Sequence, residues 1–266
     1  MSLDAIVSCK TSVMDRLRVG GRTALVTGGG QGIGRAFCHA LGEAGARVLV
    51  VDVDGGRADT VVKELEAKSV QAMSCVADVT NESDVQRMVA QAVKKWGKLD
   101  IAVNNAGINF NSAAEETSLA EWDRTFAVNL RGLFLCCQAE ARAMLAAGYG
   151  KIINTASMAS IIVPHPQKQA AYNTAKAGVV QLTRSLAAEW APRHIRVNAI
   201  SPGLVRTALL EQPALQPLVE QWMPQIPAGC LAEVTDLQGA VVYMASGASD
   251  YMTGHNLVID GGQTLW

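Results

Sequence analysis

Tyr172 and Lys176 stand four residues apart in Tyr172-Asn173-Thr174-Ala175-Lys176, a spacing that puts a phenol and an ammonium on one face of a helix. A free tyrosine holds its proton to about pH 10, too tightly for efficient general-base work near neutrality. A neighbouring ammonium favours the phenolate and lowers that value. Such pairs also decorate ordinary helix surfaces, so the spacing alone makes no site. Other polar groups accompany it. Ile152-Ile153-Asn154-Thr155-Ala156-Ser157 is an apolar run that ends on a hydroxyl, and Asn104-Asn105-Ala106-Gly107 closes an earlier run in the same way. Asn129, between Val128 and Leu130, is an amide among apolar residues and needs a partner. Polar groups at the C-terminal ends of strands suit open α/β sheets, whose ligands lie along that edge.

The elements that must position these groups follow from the alternation of short β-rich runs with longer helical patterns. Strands are predicted at 23–27, 47–51, 72–75, 101–103, 152–155, 195–200 and 256–259, and helices near 33–44, 57–67, 82–96, 119–147, 170–191 and 233–246. That order predicts a parallel sheet of about seven strands with helices on both faces and right-handed crossovers. Residues 1–18 read as an N-terminal extension and 19–266 as one domain, with no linker or repeat to divide it. Pro213, Pro217, Pro224 and Pro227 break the stretch 204–231, which reads as a mobile lid over a site.

Composition narrows the classes. Apolar residues make up 49% of the 266, charged residues 18% and aromatic residues 5%, a balance that suits close-packed helices on a parallel sheet. The formal net charge is -1, from 23 basic and 24 acidic residues with no like-charge block, which argues against nucleic acid and anionic membrane surfaces as partners. No window reaches the ~18 apolar residues of a membrane span, and the first 18 residues lack a signal-peptide core. The six cysteines (Cys9, Cys38, Cys75, Cys136, Cys137, Cys230) form no C-x-x-C pair and no zinc spacing. A reduced, cytoplasmic setting and no metal are the expectations.

The first predicted strand runs into Thr27-Gly28-Gly29-Gly30-Gln31-Gly32-Ile33-Gly34, and a helix follows. Glycines there permit positive φ and let the backbone approach a pyrophosphate, whose charge the helix N-terminus favours. The spacing is Gly28-x-x-x-Gly32-x-Gly34 rather than G-x-G-x-x-G, since Ile33 and Arg35 occupy the alternative positions. Asp52 ends the second strand, 24 residues after Gly28, where an acid accepts hydrogen bonds from an adenosine ribose and repels a 2′-phosphate. NAD is therefore preferred over NADP. The alternative is an Asp that caps the next helix. Arg57 could meet a phosphate, but its place in the first solvated turn of that helix weighs against it.

Taken in register over about residues 19–262, these motifs resemble the short-chain dehydrogenase/reductase family: T-G-x-x-x-G-x-G at Thr27 to Gly34, N-N-A-G at Asn104 to Gly107, Asn129, Ser157, Y-x-x-x-K at Tyr172 to Lys176, and Pro202-Gly203 after the sixth strand. The resemblance implies a Rossmann-type, doubly wound fold and an NAD-dependent oxidoreductase acting on a secondary alcohol or its ketone. Tyr172 would be the general acid/base. Lys176 would depress its pKa and bind the nicotinamide ribose, Ser157 would hold the substrate oxygen, and Asn129 would anchor a water beside Lys176. Gly28, Gln31, Gly32, Ile33 and Gly34 would cradle the dinucleotide. Asp78 and Val79 would lie on its adenine, Asn105, Ala106 and Gly107 on the adenosine side, and Pro202, Gly203, Val205 and Thr207 near the carboxamide. Asp78 as a plain loop residue and Thr207 as a helix cap stay open.

The loop between Ser157 and Tyr172 is longer than in many members, and the residues around it look like those of the sugar-alcohol (polyol) dehydrogenases. On that reading Asn109, Ser160, His165 and Gln167 would hydrogen-bond hydroxyls, although His165, between two prolines, reads equally as an exposed loop residue. Trp222 and Met223 read as core. The rival substrates are acyl, quinone or steroid ketones, for which Leu204, Leu209, Leu210, Leu215, Leu218 and Ile226 would form an apolar lid. A non-catalytic NAD-sensing regulator is the rival from another class. In that family long helices of this kind build subunit interfaces, so the resemblance implies a homotetramer or homodimer, and Trp266 either reaches a neighbouring subunit's site or frays.

Overall fold

The computed structural model describes residues 12–208, 210 and 215–265. Most of the predicted extension, with Cys9, lies outside the described residues, as do Leu209, Pro213 and Trp266. The elements run α1 (Val13–Leu17), β1 (Thr23–Thr27), α2 (Gly32–Glu43), β2 (Arg47–Asp52), α3 (Gly55–Ala67), β3 (Ala72–Val76), α4 (Glu82–Trp96), β4 (Ile101–Asn104), α5 (Leu119–Phe126), α6 (Leu133–Ala147), β5 (Gly150–Thr155), α7 (Ala170–Trp190), β6 (Ile195–Pro202), α8 (Gln216–Trp222), α9 (Gln238–Ala245) and β7 (Asn256–Ile259).

All seven strands are parallel and lie in the order β3-β2-β1-β4-β5-β6-β7. Such a sheet is covered on both faces, which is why its central strands read as unbroken apolar runs. Side chains alternate along β1 between two cores. Leu25 joins Leu49, Met88, Cys137 and Val179 on one face, while Ala24 and Val26 join Phe37, Val50, Leu65 and Leu237 on the other. The winding reverses between β1 and β4, so a crevice opens at their C-terminal ends, next to the glycine-rich turn.

Local signals set the helix ends. Asn81 caps α4, its Oδ1 accepting from Ser83 N at 3.0 Å, and Gly97 stops it in the left-handed region at φ +81°. The single helix predicted over 119–147 is instead interrupted by a π-turn at Ala127–Gly132. Apolar periodicity cannot register that insertion, because Asn129 sits within it and faces inward while the flanking stripes continue. The helix predicted at 233–246 begins as a 3₁₀ turn, Val234–Leu237. Several strands run one or two residues past their predicted ends, because pairing rather than local preference decides where they stop. Among the described residues, no helix is long and apolar enough to cross a membrane.

Candidate active site

The glycine-rich turn is shaped by contacts only hydrogen satisfies. A Cβ at Gly34 would stand 2.1 Å from Gly28 O and 2.6 Å from Asn105 Nδ2, and Gly28 itself has φ +61°. Asn105 ties this turn to β4. Its backbone N–H donates to Thr27 Oγ1 at 3.0 Å, and its Nδ2 donates to Thr27 O and Gly28 O at 3.2 and 3.3 Å. From here a cavity of about 430 Å³ runs between Gln31, Gly32 and Ile33 on one side and Ala106, Gly107 and Thr207 on the other, reaching Asp52, Asp78 and Val79 at its far end. A tight backbone cradle leading to a buried carboxylate fits a dinucleotide whose ribose meets Asp52.

The geometry places each of the outer positions for which alternatives stood open. Asp52 is not the helix cap: Asp54 is, its Oδ1 accepting from Arg57 N at 3.1 Å. Asp52 holds the cradle instead, Oδ2 accepting from Gly30 N at 3.0 Å and Oδ1 from Asp54 N at 3.1 Å. Arg57 does sit in the first turn of α3, yet it also lines the cavity and donates from Nη1 to Gln31 Oε1 at 2.8 Å. Asp78 has both predicted characters, accepting from Thr80 N and Oγ1 at 2.8 and 2.7 Å as a loop residue while facing the cavity. Thr207 lines the cavity too, its Cγ2 3.5 Å from where a Gly32 Cβ would stand. Val205 packs its side chain in the core cluster that holds Phe37 and Leu237, pairs through its backbone with Ala232, and is not among the residues that line the cavity.

A second cavity, about 280 Å³, continues past Ile33, Asn105 and Gly107 and brings together Ser157, Tyr172, Lys176, Pro202 and Gly203. Lys176 Nζ lies 5.7 Å from the Tyr172 ring centroid and donates to Thr155 O at 2.7 Å. The phenol is not held below its ordinary value, as the spacing predicted. Its enclosing walls push it up, with only the Ser157 hydroxyl pulling the other way. Burial also pulls Lys176 down, to about 8. Lys176 directs its proton at the Thr155 carbonyl, and burial sets the direction of the Tyr172 shift. Asn129 finds its partner in the backbone of Ile108, accepting from N and donating to O, both at 2.8 Å. A Cβ on Gly107 would lie 3.2 Å from Asn129 Oδ1 and 3.6 Å from Lys176 Nζ, so this glycine keeps the gap between the two open.

A third cavity, about 160 Å³, lies beyond Ser157 and Tyr172. Asn109 and Gln167 line it as predicted. Ser160 and His165 do not. Ser160 Oγ turns back to donate to Ser157 O at 2.7 Å, and His165 is exposed. Trp222, read as core, is a wall of this cavity, its Nε1 donating to Gln167 Oε1 at 2.7 Å. Leu204, Leu210, Leu215 and Leu218 complete that side, while Ile226 is not among the lining residues. Sequence reasoning missed Gln169. It lines the cavity, accepts from Asn109 Nδ2 at 2.9 Å and donates to Asn173 Oδ1 at 2.8 Å. The signal was its place three residues before Tyr172, at the residue that leads into α7.

Comparison with known proteins agrees with this arrangement. A family profile described as enoyl-(acyl carrier protein) reductase matches residues 28–264. The chain is 40% identical to a galactitol 2-dehydrogenase (L-tagatose-forming) of Cereibacter sphaeroides over 94% of its own length and 97% of that protein. It is 39% identical to a D-threitol dehydrogenase of Mycolicibacterium smegmatis, covering 93% and 95%. A short-chain type dehydrogenase/reductase from Mycobacterium marinum superposes with a TM-score of 0.91 at 42% identity, covering 95% of this chain and 99% of that one. With a doubly wound parallel sheet, its glycine cradle and the Ser157–Tyr172–Lys176 cluster in one crevice, the chain belongs to the short-chain dehydrogenase/reductase family of oxidoreductases.

Proposed function

We propose that this oxidoreductase is an NAD-dependent dehydrogenase of an uncharged sugar alcohol, interconverting a polyol and its ketose. The observation that carries the reading is the convergence of the Ser157 and Tyr172 hydroxyls on a small cavity walled by Asn109, Gln167 and Gln169. Several amides that donate and accept suit vicinal hydroxyls. No Lys, Arg or His lines that cavity among the described residues, so a sugar acid would lose the hydration of its carboxylate without a paired cation. The leucines and Trp222 opposite favour a second reading, a substrate with one apolar end, and the panel below includes it.

Tyr172 is the acid/base residue. Its phenol keeps its proton at neutral pH, so in the reductive direction it donates to the ketone oxygen as the carbonyl carbon is reduced. Ser157 holds that oxygen and donates to the negative charge that develops on it. In the oxidative direction the phenolate form of Tyr172 takes the hydroxyl proton, so that direction first requires the phenol to lose its own proton to solvent. Lys176, a cation below about pH 8, is tethered to Thr155 O and faces the Tyr172 ring, where its field favours the phenolate. The gap beside Gly107 gives room for a water between Lys176 and Asn129. The cradle from Gly28 to Gly34 and Asp52 would hold the dinucleotide, whose nicotinamide ring supplies the hydride acceptor or donor when bound. We assign NAD rather than NADP on the buried Asp52 carboxylate, which a 2′-phosphate would approach against like charge. A homotetramer is the assembly we propose.

The test is an absorbance assay of nicotinamide reduction across galactitol, threitol, other polyols, aldonates, alkyl diols and hydroxysteroids, with NAD and NADP. Turnover of polyols with NAD and not of aldonates is the expected result. Preferential turnover of steroids, or tight NAD binding with no alcohol oxidised, would overturn it.

A further inference from the structure

Beneath the Ser157–Tyr172–Lys176 cluster lies a polar knot that the reaction does not use. Glu140 and Cys137 of α6, Asn104 at the end of β4, Asn154 of β5 and Thr183 of α7 are all enclosed, Glu140 at 0% exposure. Asn104 Nδ2 donates to Glu140 Oε2 at 3.0 Å and to Asn154 Oδ1 at 3.1 Å. Asn154 Nδ2 passes the chain on to Thr183 Oγ1 at 3.0 Å, and the Cys137 thiol donates to Asn154 Oδ1 at 3.4 Å. Two buried oxygens are left without a donor, Asn104 Oδ1 and Glu140 Oε1. They belong to the same pair of side chains that already share one bond.

A carboxylate in such a place lacks a cation, and leaving its oxygen and the amide oxygen both bare is costly. A carboxylic acid removes both faults at once, because its hydroxyl is the donor the amide oxygen lacks. We propose that Glu140 is a neutral carboxylic acid whose Oε1–H donates to Asn104 Oδ1, and that this closed acid–amide ring positions the strand ends that carry Asn105 and Thr155. Burial pushes the Glu140 carboxyl up to about 8, opposed only by the bond from Asn104. The titratable groups nearest it are Cys136 and Cys137 on its own helix, both held as thiols by burial. The neighbours from β4, β5 and α7 are Asn104, Asn154 and Thr183, which carry no charge, and α4 packs on α6 through the apolar Val85, Met88, Val89 and Ala92.

The functional consequence runs through the next residue along each strand. Asn105, after Asn104, fastens the glycine turn. Thr155, after Asn154, supplies the carbonyl that seats Lys176. Glu140 is thus a positioning residue. Above its pKa two facing acceptors repel and the register of both strand ends loosens.

Infrared titration of the full-length protein with isotope-labelled glutamate tests this directly. The carbonyl stretch of a protonated acid persists at neutral pH, disappears with a midpoint near 8 and is missing from Glu140→Gln. Glu140→Gln supplies an amide donor at every pH, so it retains NADH affinity, and its thermal midpoint lacks the decline that wild type shows from about pH 5 to about pH 9. Glu140→Leu leaves the Asn104 amide without that partner and loses about tenfold or more in NADH affinity, as for one unmade buried hydrogen bond. Absence of an acid band above about pH 6, or a Glu140→Gln protein that follows the wild-type pH dependence, overturns the proposal. Should a variant not fold, the wild-type titration alone decides.

Discussion

Substituting Gly34 by alanine examines the cradle with the least chemistry. The new Cβ would stand 2.1 Å from Gly28 O and 2.6 Å from Asn105 Nδ2, where ordinary contact begins at 3.4 Å. The Gly28 carbonyl must therefore retreat by more than 1 Å, the difference between 3.4 and 2.1. Neither neighbour is the far end of a flexible chain: one is backbone and the other is tied to Thr27 O and Gly28 O. Overpacking of this kind costs about 1–3 kcal/mol, and the two Asn105 bonds add about 1 kcal/mol each if lost. A total of about 3–5 kcal/mol is shared between stability and the shape of the turn. If even half falls on the bound conformation, NADH affinity drops by at least tenfold. Calorimetric titration with NADH, beside a thermal midpoint, separates the two shares. Gly239→Ala in α9, where an added Cβ meets nothing within 4 Å, is the control and should bind normally with equal or higher stability. Wild-type NADH affinity in Gly34→Ala would refute the idea that this turn is the dinucleotide cradle.

Other perturbations address the remaining groups. Tyr172→Phe should lower kcat/KM by ~10²–10⁴ or more while leaving NADH affinity nearly unchanged, as measured by steady-state rates and fluorescence titration. Lys176 carries its charge below about pH 8, so activity that depends on it falls as pH rises through that value. Lys176→Arg, always charged, should remove that alkaline limb from the kcat/KM profile even where its rate is lower. Trp222→Phe keeps the ring and deletes the bond to Gln167 Oε1, so KM for polyols should rise by about tenfold with kcat less affected. Asp52→Ala removes the carboxylate on which the NAD assignment rests and should shift the NADP-to-NAD preference toward NADP by tenfold or more, about 1.4 kcal/mol, read from the ratio of kcat/KM values.

The strand–helix alternation, the glycine turn and the Tyr172–Lys176 spacing were legible in the chain because each obeys a short-range rule: a period, a backbone allowance, one helical turn. Those rules determined the parallel sheet, the crevice at its C-terminal edge and the residues that would meet there. The tertiary structure decided matters of orientation and surroundings. It turned Ser160 onto a carbonyl and His165 out to solvent, made Trp222 a cavity wall, seated Gln169 beside Asn109 and placed a π-turn at Asn129. It also reversed the expected direction of the Tyr172 shift and left Glu140 facing an amide instead of a cation. The physical reason is common to all of these. Spacing says which side chains share a face, but burial, and the partner to which each proton is directed, depend on elements far away in sequence.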